Sequence, residues 1–232
     1  MELGGKRFLV AGASGQLGGR LARGLAERGS RVIVAGRDQA RLDAVAGELE
    51  APSVRLDILD ADSCTAAITA AVDRLGGLDG LVISTGVVAF GRAGELDRQV
   101  EAEVMRVNAL GPISLIAAAL PHLEAGGALV ALSAVVAEYP TAGMAAYSAS
   151  KAALSSYLSA VRRERRRDLA VVLDVRPGHM ETGFPERALA GEPPRLPEPE
   201  DADALVESVL EALVAERREL RYDPRERRLF AE

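Results

Sequence analysis

The segment that most restricts the fold lies near the start of the chain. Arg7-Phe8-Leu9-Val10-Ala11 is a short apolar run suited to a buried strand. Gly12-Ala13-Ser14-Gly15-Gln16-Leu17-Gly18-Gly19 follows, and then Leu21, Ala22, Leu25 and Ala26 recur at helical spacing. Strand, glycine turn and helix in that order suit a bound phosphate. The glycines let backbone N–H groups approach a pyrophosphate, and the helix N-terminus favours its negative charge. The same residues also suit a tight strand-to-helix turn that holds no ligand.

The rest of the chain continues the alternation. Arg31 to Ala35 reads as a second strand, and Asp38 as the N-cap of a helix carrying Leu42, Val45, Ala46 and Leu49. Val54 to Leu56 is a third strand, and Asp60 opens an alanine-rich helix. Gly80 to Ser84 is a fourth strand. A helical region from about Leu96 to Ala119 is interrupted near Gly111-Pro112. Ala128 to Leu132, a helix from about Ala145 to Arg166, Leu169 to Val175 and a helix from Asp201 to Glu216 complete the series. This order predicts an α/β fold: one domain with a doubly wound parallel sheet, helices on both faces, and ligands beyond the carboxyl ends of the strands. Leu220-Arg221-Tyr222 reads as a last edge strand, with Arg225 to Arg228 solvated.

Tyr147-Ser148-Ala149-Ser150-Lys151 carries the chemistry. Residues four apart share one helix face. An ammonium beside a phenol favours the phenolate, so Lys151 is expected to lower the Tyr147 pKa from about 10 and make a usable acid and base. Other classes fit poorly. A formal net charge of −6 argues against nucleic acid, and two histidines and one cysteine leave little for a metal site of those residues. Cys64 alone makes no internal disulfide and suits a reducing cytoplasm. The apolar stretch Ile113 to Leu120 is too short to span a bilayer, so no membrane partner is expected, and Met1 to Lys6 lacks the core of a signal peptide.

Together these motifs resemble the short-chain dehydrogenase/reductase family over nearly the whole chain. Asp57 matches the family aspartate that borders the adenine, Asn108 the active-site asparagine, and Pro177-Gly178-His179-Met180-Glu181-Thr182 the stretch after the sixth strand. The resemblance implies a Rossmann-type sheet and an oxidoreductase acting on a small carbonyl or secondary alcohol. Tyr147 would be the general acid/base, Lys151 would hold the nicotinamide ribose, and Asn108 would anchor a water that relays protons to Lys151. It assigns the dinucleotide to Gly12, Ser14, Gly15, Gln16, Leu17, Asp57, Ile58, Ser84, Thr85, Gly86, Tyr147, Lys151, Pro177, Gly178 and Thr182. It also implies a flap over the substrate at 184–200 and a homodimer or homotetramer built on the long helices.

Three departures stand out. The family serine that binds the substrate oxygen is expected one residue closer to Tyr147 than Ser133, where Ala134 stands. Either Ser133 serves or the serine is lost. Gln16 occupies the place of the middle glycine of the commonest branch, and Ile83-Ser84-Thr85-Gly86 replaces the usual Asn-Asn-Ala-Gly. Two other readings therefore stay open: a non-catalytic dinucleotide-binding sensor or scaffold, and an isomerase or lyase on the same fold. For the cofactor, Ala35 and Gly36 occupy the strand tip where an acid would bind ribose, and Arg37 suits a 2′-phosphate. This favours NADP(H) over NAD(H); the rival makes Asp38 the ribose ligand. Val87 to Phe90, Met144 and the flap suggest a modest apolar pocket.

Overall fold

The computed structural model describes residues 1–232. Eight strands form one sheet in the order β3-β2-β1-β4-β5-β6-β7-β8. They are β1 (Arg7–Ala11), β2 (Arg31–Gly36), β3 (Ser53–Arg55), β4 (Leu78–Ile83), β5 (Leu123–Leu132), β6 (Leu169–Arg176), β7 (Glu219–Asp223) and β8 (Arg228–Ala231). The first seven pair in parallel, and β8 runs antiparallel to β7. The seven helices are α1 (Gln16–Glu27), α2 (Gln39–Glu48), α3 (Ala61–Leu75), α4 (Arg98–Met105), α5 (Gly111–Ala119), α6 (Ala145–Glu164) and α7 (Ala202–Val214).

Side chains alternate across β1. Phe8 and Val10 join an apolar layer with α1, α2 and α7, whereas Leu9 and Ala11 join a layer with α3, α5 and α6. The layers hold 26 and 24 buried residues, so both faces of the sheet are covered, as a parallel sheet requires. Asp38, Asp60 and Asp201 accept hydrogen bonds from the first turns of α2, α3 and α7, which fixes where those helices start.

Two local expectations change. The interruption of the long helix is a π turn at Arg106–Leu110, just before Pro112, and the helical path continues through it. Gly111 N–H reaches back to the Arg106 carbonyl, and Pro112 has no N–H to offer the carbonyl of Asn108. The combined run Arg98–Ala119 is therefore long and apolar enough to cross a bilayer by length and composition, although half of that window is buried in the fold. The end of the chain also differs. Arg228 opens an eighth strand, so β7 is an inner strand rather than an edge. Only Leu229 and Phe230 of β8 are partly buried, too short a pattern to read as a strand from sequence.

Candidate active site

A cleft of about 420 Å³ opens beyond the carboxyl ends of β1, β4, β5 and β6. Gly15, Gln16 and Leu17 line it from the first turn, Ser84, Thr85 and Gly86 from the end of β4, and Pro177, Gly178 and Thr182 from beyond β6. Gly12, Ser14, Arg37, Asp57 and Ile58 do not line it. The first turn is tight: a Cβ on Gly18 would stand 2.3 Å from the Gly12 carbonyl oxygen, so only glycine lets α1 start there. Gly15 caps α1 without a side chain, leaving the first-turn N–H groups to other acceptors. Thr85 Oγ1 is buried with no hydrogen-bond partner. A Cβ on Gly86 would meet Asn108 Oδ1 at 3.4 Å and Lys151 Nζ at 3.5 Å. An uncapped helix end, an orphaned hydroxyl and a glycine floor fit a dinucleotide.

Around the end of β2, Asp38 Oδ1 accepts the Arg41 N–H and Arg41 Nη2 donates to the Ser14 carbonyl. Arg37 is exposed and bonds no protein group. Asp57 lies in the turn after β3, where its side chain accepts the Leu59 N–H.

The reactive end is built on α6. Tyr147 and Lys151 are both buried at the cleft wall, and Lys151 Nζ lies 5.9 Å from the Tyr147 ring centroid. No protein group hydrogen-bonds the Tyr147 hydroxyl. The ammonium of Lys151 donates to the Leu132 carbonyl at 3.0 Å. Phe184, at the start of the 184–200 segment, packs against Tyr147 with ring centroids 6.2 Å apart.

The expected lowering of the Tyr147 pKa is corrected here. Burial pushes that phenol well above its ordinary value of 10.0. Lys151 is itself pulled down to about 8 by burial, with Asp174 opposing, and it is turned toward Leu132. Spacing along a helix reports proximity but not the loss of water around both groups, and that loss disfavours each charged form.

Ser133 and Asn108 are both engaged by protein partners. Ser133 borders the cleft, yet its hydroxyl donates to the fully buried Asp174 carboxylate at 2.5 Å. Its one proton is not free for a substrate oxygen. Ala134, the other candidate for that position, packs in an apolar cluster with Tyr147, Val88, Phe90, Val136 and Met144. Asn108 spends its amide on the loop after β4. Its Oδ1 accepts the Val87 N–H, and its Nδ2 donates to the Val87 carbonyl and to Ser150 Oγ.

Segment 184–200 borders the cleft at Phe184, Pro185, Arg187, Arg195, Leu196 and Pro197, and it is tied down by its backbone. Leu189 N–H donates to the Val88 carbonyl, and Phe90 N–H to the Ala190 carbonyl. Gly191 sits so close to Phe90 that a Cβ would clash with its carbonyl oxygen at 1.9 Å. His179 lines the cleft, and burial holds its pKa below the ordinary 6.5. Sequence reasoning missed Asp174 and Arg41. Asp174 had no motif to mark it, whereas Arg41 stood four residues beyond Arg37 on the first turn of α2.

The sequence profile described as short chain dehydrogenase matches residues 6–192. The chain belongs to the short-chain dehydrogenase/reductase family. An uncharacterized oxidoreductase of Myxococcus xanthus is 35% identical over 188 residues, covering 78% of this chain and 74% of that protein. Another from Staphylococcus epidermidis is 28% identical over 205 residues, covering 87% and 89%. A short chain dehydrogenase from Burkholderia cenocepacia, solved in complex with NADP, superposes with a TM-score of 0.81 at 28% identity, covering 92% of each chain. The protein is thus an NAD(P)-dependent oxidoreductase acting on CH–OH or C=O groups, and its Rossmann-type sheet is that of the family.

Proposed function

We propose that this short-chain dehydrogenase/reductase prefers NADP(H) and interconverts an apolar carbonyl compound and its secondary alcohol, with Tyr147 as general acid and base. The single observation that carries this reading is the Tyr147 hydroxyl at the cleft wall, unbonded by protein, beside Lys151 and across from the glycine turn. Gly15, Gln16, Leu17, Thr85, Gly86 and Thr182 would hold the dinucleotide, which supplies or accepts the hydride when bound.

The residues of the chain do the rest. In reduction Tyr147 gives its proton to the oxygen on which charge develops, and in oxidation it takes one back. The Lys151 ammonium stabilises the phenolate as it forms, which partly offsets the burial that otherwise opposes it. Val88, Phe90, Met144 and Phe184 present an apolar wall that excludes water from the reacting carbon and selects an apolar substrate. Ala134 offers no donor, so the substrate oxygen depends on Tyr147 alone among the expected hydroxyls. We assign the 184–200 segment as the lid over this pocket. The preference for the 2′-phosphate rests on Arg37, which is free to pair, and on Asp38, whose carboxylate is occupied as a helix cap. Cys64, single and buried, suits a reducing cytoplasm. Exposed Leu110 between α4 and α5 suits a homo-oligomer built on those helices.

The test is turnover of a panel of ketones and aldehydes with NADPH and NADH, by wild type and Tyr147→Phe. The reading expects turnover by wild type with NADPH preferred, and loss of it in the variant with dinucleotide affinity retained. A variant that keeps its rate removes Tyr147 from the chemistry.

A further inference from the structure

Lys151 is held in a place hostile to its charge. It is 3% exposed, its Nζ has the Leu132 carbonyl as its protein partner, and the groups nearest it on α6 and the π turn, Tyr147 and Asn108, are neutral. Asp174 lies on the same side of the sheet. In the β5–β6 register Asp174 pairs with Ala131, so Ala131, Ser133 and Asp174 all point toward the layer filled by α6. The Asp174 carboxylate is fully buried and accepts from Ser133 Oγ at 2.5 Å and Arg176 Nε at 2.7 Å. Ser133 directly follows Leu132, whose carbonyl holds the lysine.

We propose that Asp174 is a positioning residue for Lys151: through Ser133 it fixes the end of β5 on which the lysine rests, and its negative charge keeps the lysine in the ammonium form. This rests on the proposed roles of Tyr147 and Lys151. Other charges also face Asp174. Arg176 lies on its own strand, Arg162 on α6, Glu219 on β7 and Glu138 in the turn after β5. Arg176 and Arg162 each pair with Glu219, and Arg176 also with Glu138, so both cations are shared among several carboxylates. The Asp174 carboxylate opposes the effect of burial on Lys151.

The chain has two lysines, Lys6 and Lys151, which makes the lysine charge directly readable. Protein labelled with 15N at lysine Nζ gives two signals, with Lys6 as the internal reference. In Asp174→Asn the Lys151 midpoint is expected to fall by about one pH unit or more, with Lys6 unmoved. The alkaline limb of kcat should fall with it while KM changes little. Asp174→Asn removes one of the three carboxylates that pair with Arg176, so the double variant Asp174→Asn/Arg176→Met, neutral at both positions, is measured beside it. Its Lys151 midpoint is also expected below that of wild type. An unmoved Lys151 midpoint in either folded variant overturns the proposal. The NMR titration needs no turnover, so it separates failure of this proposal from failure of the catalytic reading.

Discussion

At the ends of β1 and β4 a ligand is admitted by what the residues lack. Gly18 has no Cβ to strike the Gly12 carbonyl, Gly86 none to fill the floor, and Gly15 no side chain to cap α1. At the ends of β5 and β6 the site depends on what buried side chains hold. Asp174 ties Ser133, Arg176 ties Asp174 to Glu138 and Glu219, and the Leu132 carbonyl holds Lys151. The first half is shaped by close backbone approach, tightest at Gly18. The second is a charge arrangement, sensitive to changes that leave its shape intact. Binding and chemistry should therefore separate on mutation.

The largest effect expected tests the chemical half. Tyr147→Phe should lower kcat by about 10²–10⁴, the range for losing a positioned acid/base, with the NADPH dissociation constant unchanged by fluorescence titration. A parallel loss of binding would break the division. On the other side, Gly18→Ala should cost about 1–3 kcal/mol of stability through overpacking. It should also abolish dinucleotide binding, read by thermal melts with and without NADPH. Retention of the ligand-induced shift in Tm would show the turn to be more yielding than its geometry.

A charge-specific change sharpens the comparison further. Arg37→Ala should weaken NADPH by roughly tenfold, the worth of a charge-assisted pair at a partly exposed site, and leave NADH affinity alone. If Asp38 binds ribose instead, neither affinity moves. The smallest kinetic effect is expected for Ser133→Ala. Removing the hydroxyl leaves a buried carboxylate oxygen unpaired, at a cost of about 1–3 kcal/mol in stability by denaturant titration. The fall in kcat should stay below about tenfold. A loss of about 10²–10³, typical of a missing oxyanion donor, would return Ser133 to the substrate oxygen. The pH dependence has a definite sign. Lys151, at about 8, is charged below that value and neutral above it, so the rate should decline as pH rises through about 8.

What could be read from the sequence follows the same division. The β1–turn–α1 unit was legible because its whole logic lies within neighbouring residues, and so were the Asp38 cap and the helix starts at Asp60 and Asp201. Gly15, Gln16 and Leu17 of that turn line the cleft, as do Pro177, Gly178 and Thr182, which the family resemblance singled out. The partner of Ser133 was not legible because Asp174 is 41 residues away and meets it only through the β5–β6 register. The direction of the Tyr147 shift was misread because helical spacing carries no measure of burial. Strand β8 escaped because Arg228–Ala231 is short and half-exposed, and only pairing with β7 defines it. The π turn was seen as a break near Pro112. Its accommodation within a continuous helix depends on tertiary packing that composition does not reveal.

The segment we assign as a lid is anchored through main-chain atoms, between Leu189 and Val88 and between Phe90 and Ala190. Most side chains of that strip can thus be exchanged without undoing its closure, Gly191 being the exception. Drift along the strip would then alter the lining of the pocket without loosening that anchorage.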